Sequence, residues 1–231
     1  MALSHYKTFG MESHAMVKQS LIDILVNESK RESVEVFKEH MEKAMLFREK
    51  ARNQGFAIRR AVRNGVEGGH YVEFGVASGK SCRLFAEVLA QKSLSITGFD
   101  SFEGLEEDWT GIQSGRAAGA FTQSGKLPEV PGNVTLVKGW VEDTLPSYLE
   151  SIGAGARFAF LHMDMDTYKP TRFALEAVKP FLTSGTVILF DELYGYPGWR
   201  HHEYKALLEV MDSDSFTYIS FSEESVAIQI N

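Results

Sequence analysis

His70-Tyr71-Val72-Glu73-Phe74-Gly75-Val76-Ala77-Ser78-Gly79-Lys80-Ser81 runs from a short apolar strand, through a turn with two glycines, into the start of a helix. Glycines in such a turn permit tight bends and close backbone approach, and the free N–H groups of the helix start favour an anionic part of a ligand. The spacing is not that of a dinucleotide turn, because Ala77 stands where G-x-G-x-x-G needs its second glycine. It is not a P-loop either, since Gly75 and Gly79 are one residue too close for G-x-x-x-x-G-K-[ST]. Glu73, at the head of the turn, repels phosphate and suits a cationic ligand.

Downstream the same strand-then-helix pattern repeats. Strands are expected at His70–Phe74, Ser95–Asp100, Asn133–Val137, Arg157–Asp164, Thr186–Asp191, Phe216–Ser222 and Ser225–Ile230. Alternation of short apolar strands with helical stretches is the signature of βαβ units and a mostly parallel sheet. The last two strands are separated by little more than Glu223 and Glu224, which allows an antiparallel hairpin at one edge. The expected fold is therefore α/β: a doubly wound, seven-stranded, mostly parallel sheet with a C-terminal hairpin. Between the second and third strands, Glu103 to Gly132 is rich in Gly and Ser and long for a loop, as a ligand cover would be.

Upstream the pattern is helical. Val34, Phe37, Met41, Ala44 and Met45 fall on one face, opposite Lys38, Glu39, Glu42 and Lys43. Leu21, Ile22, Ile24 and Leu25 suggest a preceding helix, and Phe56 to Asn64 a further one ended by Gly65. Residues 1–55 are read as a helical extension and 56–231 as the main domain. The apolar stripe must be covered, by the main domain, as a lid or in a homodimer.

Composition narrows the function. The 231 residues are 44% hydrophobic, enough for a packed core, and 31 acidic against 24 basic residues give a net charge of -7. An acidic balance argues against nucleic acid and anionic membranes and for a small-molecule partner. The single Cys82 makes no intramolecular disulfide, Met1 to His14 has no apolar signal core, and no apolar run approaches a membrane span. A cytoplasmic protein is expected.

In an open parallel sheet, ligands bind at the carboxyl ends of the strands, and here those ends are acidic. Asp100 closes the second strand, where it can accept hydrogen bonds from both ribose hydroxyls. With Glu73 and the glycine turn, it describes a nucleoside with a positive charge near it, and S-adenosylmethionine supplies the adenosine, the sulfonium and the amino-acid end. Asp164-Met165-Asp166 and Asp191-Glu192 bring four carboxylates to the same edge, where a hard divalent cation such as Mg2+ would relieve their repulsion. Asp166 has an alternative role as cap of the following helix.

The first turn resembles the first motif of class I S-adenosylmethionine-dependent methyltransferases, whose sheet has seven strands and a terminal hairpin. Phe99-Asp100-Ser101-Phe102-Glu103-Gly104-Leu105, Gly119-Ala120-Phe121, Gly139-Trp140-Val141-Glu142-Asp143-Thr144-Leu145-Pro146, His162-Met163-Asp164-Met165-Asp166-Thr167-Tyr168 and Asp191-Glu192 resemble, in order, stretches of the macrocin O-methyltransferase family, which acts on sugar hydroxyls. The resemblance implies cofactor contacts from Glu73, Phe74, Gly75, Ser78, Gly79 and Ser81 in the turn. It implies Asp100 on the ribose, Ser101, Phe102, Gly139 and Trp140 around the adenine, and Asp164 as a further cofactor contact. It implies a metal held by Asp164, Asp191 and Glu192, although the family often has two aspartates where this chain has Asp191-Glu192.

The expected reaction is metal-assisted methylation of a hydroxyl on a sugar or other diol, with Asp164 as catalytic residue. His162, His201, His202 and Lys169 are alternative bases. The competing readings are a phosphohydrolase using Asp164-Met165-Asp166-Thr167, a metal-dependent DxD glycosyltransferase, and a module that binds the cofactor without turnover.

Overall fold

A computed structural model describes residues 20–112 and 115–231, so Met1 to His14 lies outside the described residues. The chain runs α1 (Leu21–Met41), β1 (Met45–Leu46), α2 (Lys50–Asn64), β2 (His70–Phe74), α3 (Lys80–Ala90), β3 (Ile96–Asp100), β4 (Val134–Lys138) and α4 (Val141–Ile152). It continues with β5 (Phe158–Met163), α5 (Tyr168–Val178), β6 (Val187–Phe190), α6 (Glu203–Val210), β7 (Phe216–Phe221) and β8 (Val226–Ile230).

The sheet order is β1-β7-β8-β6-β5-β2-β3-β4. Strands β2 to β6 are parallel to one another, and β8 pairs antiparallel with both β6 and β7. From β2 the chain winds outward through β3 and β4, then returns to the other side of β2 with β5. That reversal makes the carboxyl ends of β2 and β5 the topological switch point, where a crevice opens.

Side-chain alternation divides the core into two layers. Val72, Phe74, Leu161, Met163, Ile188 and Phe190 face α4, α5 and α6. Tyr71, Phe160, Val187 and Leu189 face α2 and α3, where Ile58, Phe85 and Leu89 are fully buried. Strands covered on both faces account for the continuous apolar runs at β5 and β6.

The seven expected strands are present with end shifts of a residue or so, and β1 is an eighth. Its Met45 and Leu46 pair parallel with Ser220 and Phe221 at the sheet edge. The expectation of two early helices fails: α1 is continuous from Leu21 to Met41, started by a Ser20–Asp23 capping box. Its buried face is Ser29, Ser33 and Phe37, while Val34 is exposed. Ser33 is accommodated because its hydroxyl donates to the Ser29 carbonyl (2.7 Å) and accepts from the Gly195 N–H (3.0 Å). Helix α2 begins at Lys50 and runs through residue 55, so one continuous helix spans both sides of the expected domain boundary.

Candidate active site

The site lies at the carboxyl ends of β2, β3, β5 and β6. A cavity of about 410 Å³ there is lined on one side by the glycine turn and on the other by acidic residues after β5 and β6. The turn is set by Gly75, whose φ of 88° and position leave no room for a side chain: an added Cβ would lie 1.7 Å from the Asp164 carbonyl oxygen. That contact joins the turn after β2 to the turn after β5, the two halves of the site.

Asp100 lines the cavity, yet its carboxylate already serves the backbone. Oδ2 accepts from the N–H groups of Val76 (2.8 Å) and Ala77 (2.7 Å), and Oδ1 accepts from Phe102 (2.6 Å). Ala77 and Phe102 have φ of 44° and 59°, conformations that cost a non-glycine residue about 1 kcal/mol or more. Oδ2 has both lone pairs engaged, and Oδ1 keeps one for a ligand hydroxyl.

Of the other residues expected on the cofactor, Gly75, Ser78, Ser81, Ser101, Gly139, Trp140 and Asp164 line the cavity. Glu73, Phe74, Gly79 and Phe102 lie outside its lining. Phe74 and Phe102 are core residues, and Gly79 caps α3 in a left-handed conformation. Glu73 is fully buried and accepts from His162 Nδ1 at 3.0 Å, because the alternation of β2 turns it toward the α2–α3 layer.

The segment between β3 and β4 covers the crevice. Leu105, Glu106, Trp109 and Phe121 line the cavity from it. It is tied down by the Trp109–Arg116 bridge, by hydrogen bonds from the Gln123 and Gly125 N–H groups to the Phe102 carbonyl, and by Trp109 packed edge-on against Tyr196.

On the acidic side, Asp191 has both oxygens occupied. Oδ1 accepts from His162 Nε2 (3.3 Å) and Gln54 Nε2 (3.2 Å), and Oδ2 accepts from Lys50 Nζ (2.7 Å). Lys50 also donates to Glu192 Oε1 at 2.5 Å. Burial opposes the charge on His162, but Asp191 and Glu73 outweigh it and raise its pKa to about 10. Burial likewise opposes ionisation of Asp191, yet His162 and Lys50 hold its carboxyl well below the usual range. Asp164 and Glu192 are pushed up, first by burial and then by the charge of Asp191, and the same causes raise Asp166 to about 7.

Among the described residues, two groups have ligand atoms within 4.8 Å of one another: Glu73, His162 and Asp164, and the all-carboxylate set Asp164, Asp166 and Glu192, in which Glu192 Oε2 is buried without a partner. Hard oxygen ligands with an orphaned lone pair fit a divalent cation. Asp191, expected as a ligand, accepts from three donors, and the converging carboxylate set contains Asp166 rather than Asp191. Asp166 does not cap α5: the N-cap is Thr167, no side chain caps that end, and Asp166 has a φ of 62°.

The alternative bases lie elsewhere. His162 is sealed behind the wall, His202 contacts the Thr110 carbonyl, His201 is exposed, and Lys169 is exposed in an ion pair with Glu107. Lys50, Gln54 and Glu203 were missed. Glu203 is fully buried and accepts from the Glu192 N–H at 3.1 Å.

The profile of the methyltransferase-domain family matches residues 72–193, more than half of the chain. The crystal structure of CalS11, a calicheamicin methyltransferase, is 21% identical over 97% of this chain and 99% of that one, with a TM-score of 0.61. The apo structure of CalS11, described as a TDP-rhamnose 3′-O-methyltransferase, is 26% identical over 78% of this chain and 77% of that one (TM-score 0.57). That of the O-methyltransferase NovP is 24% identical over 78% and 79% (TM-score 0.55). No curated protein matches the sequence. With the matched span running from the first strand and its glycine turn to the acidic pair after β6, the chain belongs to the methyltransferase-domain family, as a class I S-adenosylmethionine-dependent methyltransferase.

Proposed function

We propose that this enzyme methylates a hydroxyl of a small molecule, a sugar or another vicinal diol, with a divalent cation, expected to be Mg2+, in the acidic cluster. The observation that carries the reading is a single cavity with the glycine turn on one wall and Asp164, Asp166 and Glu192 on the other. A sugar acceptor is also suggested by CalS11, described as a TDP-rhamnose 3′-O-methyltransferase.

Gly75, Ser78 and Ser81 would hold the amino-acid end of S-adenosylmethionine, Asp100 its ribose, and Ser101, Gly139 and Trp140 its adenine. Fixing the acceptor oxygen in line with the methyl group supplies much of the acceleration, since orientation can contribute about 7–11 kcal/mol. Asp164 and Glu192 would hold the cation, which when bound would lower the pKa of the acceptor hydroxyl. Asp166 is the proton acceptor of this scheme in place of Asp164. It lines the cavity, caps no helix, and reaches its position through a left-handed backbone of the kind found at functional sites. His162 and Gln54 would position Asp191. Leu105, Trp109 and Phe121 would exclude water above the acceptor.

The phosphohydrolase and glycosyltransferase alternatives lose their ground, because the family match includes the Asp164–Asp166 segment and the glycine turn opens on the same cavity. Among the described residues no helix is long and apolar enough to cross a membrane. Leu21, Ile22, Ile24 and Leu25 are exposed along α1, which supports the proposal of a dimer.

The test is mass-spectrometric detection of a methylated diol, such as a rhamnoside, with S-adenosylmethionine, in excess chelator and again after Mg2+ is restored. A product formed only with metal supports the reading. Full activity in chelator removes the metal step, and no product from any hydroxyl acceptor removes the reaction.

A further inference from the structure

Lys50 opens α2, a helix with no acidic residue in its first turn to offset that cation. A positive charge there opposes the helix dipole. Helix stability therefore does not account for it. Its ammonium reaches instead to Asp191 Oδ2 and Glu192 Oε1, at 2.7 and 2.5 Å, and bridges two consecutive carboxylates at the end of β6.

That bridge lies on the cluster that the proposed function assigns to a cation. Glu192 gives Oε1 to Lys50 and leaves Oε2 buried without a partner, and one of its oxygens lies within 4.8 Å of an oxygen of Asp164 and of Asp166. An ammonium and a divalent ion on the same carboxylate repel each other at close range in a site of low dielectric. Two cations on Glu192 are therefore alternatives.

The surroundings let one leave. The α2 backbone is fixed, with Asn53 Nδ2 donating to the Ser225 carbonyl at 3.0 Å and Asn64 Nδ2 to the Gly185 carbonyl at 2.7 Å. The lysine itself sits on a flexible four-carbon stem, and its side chain is 34% exposed, so a route to solvent is open. Asp191 would not be stranded by its departure, because His162 and Gln54 still donate to Oδ1. Glu192 would be freed.

We propose that Lys50 is a tethered counter-ion of the acidic cluster, which a divalent cation must displace from Glu192 in order to bind. This inference rests on the metal reading of the cluster given above. In the metal-free protein the lysine keeps the carboxylates from repelling one another. Metal entry then releases it toward solvent, and the work of displacing it sets how tightly the metal is held.

The experiment is calorimetric titration of Mn2+ into the full chain without cofactor, for wild type, Lys50→Gln and Lys50→Arg. Removing the competing charge is expected to tighten Mn2+ binding by roughly tenfold or more in Lys50→Gln, with Lys50→Arg close to wild type. If Lys50→Gln does not melt cooperatively without metal, recovery of a cooperative melt on adding Mn2+ supports the proposal, and failure to recover counts against it. Equal or weaker binding by a folded Lys50→Gln overturns the competition and leaves the metal reading standing. Absence of binding in every variant overturns both. Tight binding by Lys50→Gln alone, with wild-type activity indifferent to chelator, supports displacement and removes the metal from the wild-type reaction.

Discussion

Asp100 connects three backbone N–H groups, two of them in left-handed residues beside the cofactor wall. Its replacement by Ala removes three charge-assisted hydrogen bonds and leaves Ala77 and Phe102 strained. The expected cost is about 2–5 kcal/mol of stability, read by urea unfolding, with S-adenosylmethionine affinity lowered tenfold or more by calorimetry. Unchanged affinity in a folded Asp100→Ala variant would mean that the wall forms without it. A carboxylate at this strand end was legible from sequence, but its role as a clamp was not. That role depends on positive φ at an alanine and a phenylalanine, which residue type does not announce. Lys50 was hidden for a different reason: it reaches a partner more than a hundred residues away, and only the fold brings the two together.

At the scale of elements, the strands were readable because a strand covered on both faces needs a continuous apolar run. The first helix was misread because its buried face is made of Ser29, Ser33 and Phe37, two of them polar. Phe37 is fully buried among the rings of Tyr194, Trp199, Tyr204, Tyr218 and Phe221. Phe37→Ala is therefore expected to cost about 3–5 kcal/mol, while Val34→Ala, on the exposed face, should stay within about 0.5 kcal/mol. Equal losses from the two, measured by chemical denaturation, would mean that α1 is seated on its other face. Gly75 binds the turn after β2 to that after β5. A methyl group there meets the Asp164 carbonyl at 1.7 Å, so Gly75→Ala should separate the two walls and abolish methyl transfer while α1 still melts with the domain. Retained activity in that variant would refute the close contact.

For the whole molecule, the acid surplus matters chiefly through its placement in one cavity, and pH is the way to read it. The Asp166 carboxyl, raised by burial and by Asp191 to about 7, stands above its unfolded value of about 3.9. Between those limits the folded chain keeps a proton that the unfolded chain has released. Its contribution to stability is complete below pH about 4 and is lost as pH climbs through about 7. Asp191 acts in the opposite sense: His162 and Lys50 depress its pKa, so its contribution is present above pH about 4 and fades in acid. His162, raised to about 10, contributes fully below about 6.5 and loses that contribution as pH climbs to 10. From pH 5 to 7 the raised carboxyls of Asp164, Asp166 and Glu192 lose their contributions together, and His162 joins them above about 6.5, so the share of Asp166 is the difference between wild type and a variant that lacks it. In chelator, the melting temperature of wild type should then fall across that interval relative to Asp166→Asn, which has no proton to lose. A bound cation replaces the lost proton as the neutralising charge, so Mn2+ should raise the wild-type melting temperature more at pH 7.5 than at pH 5. Parallel melting curves for wild type and Asp166→Asn, or a metal effect independent of pH, would place the titrating carboxylate elsewhere in the molecule.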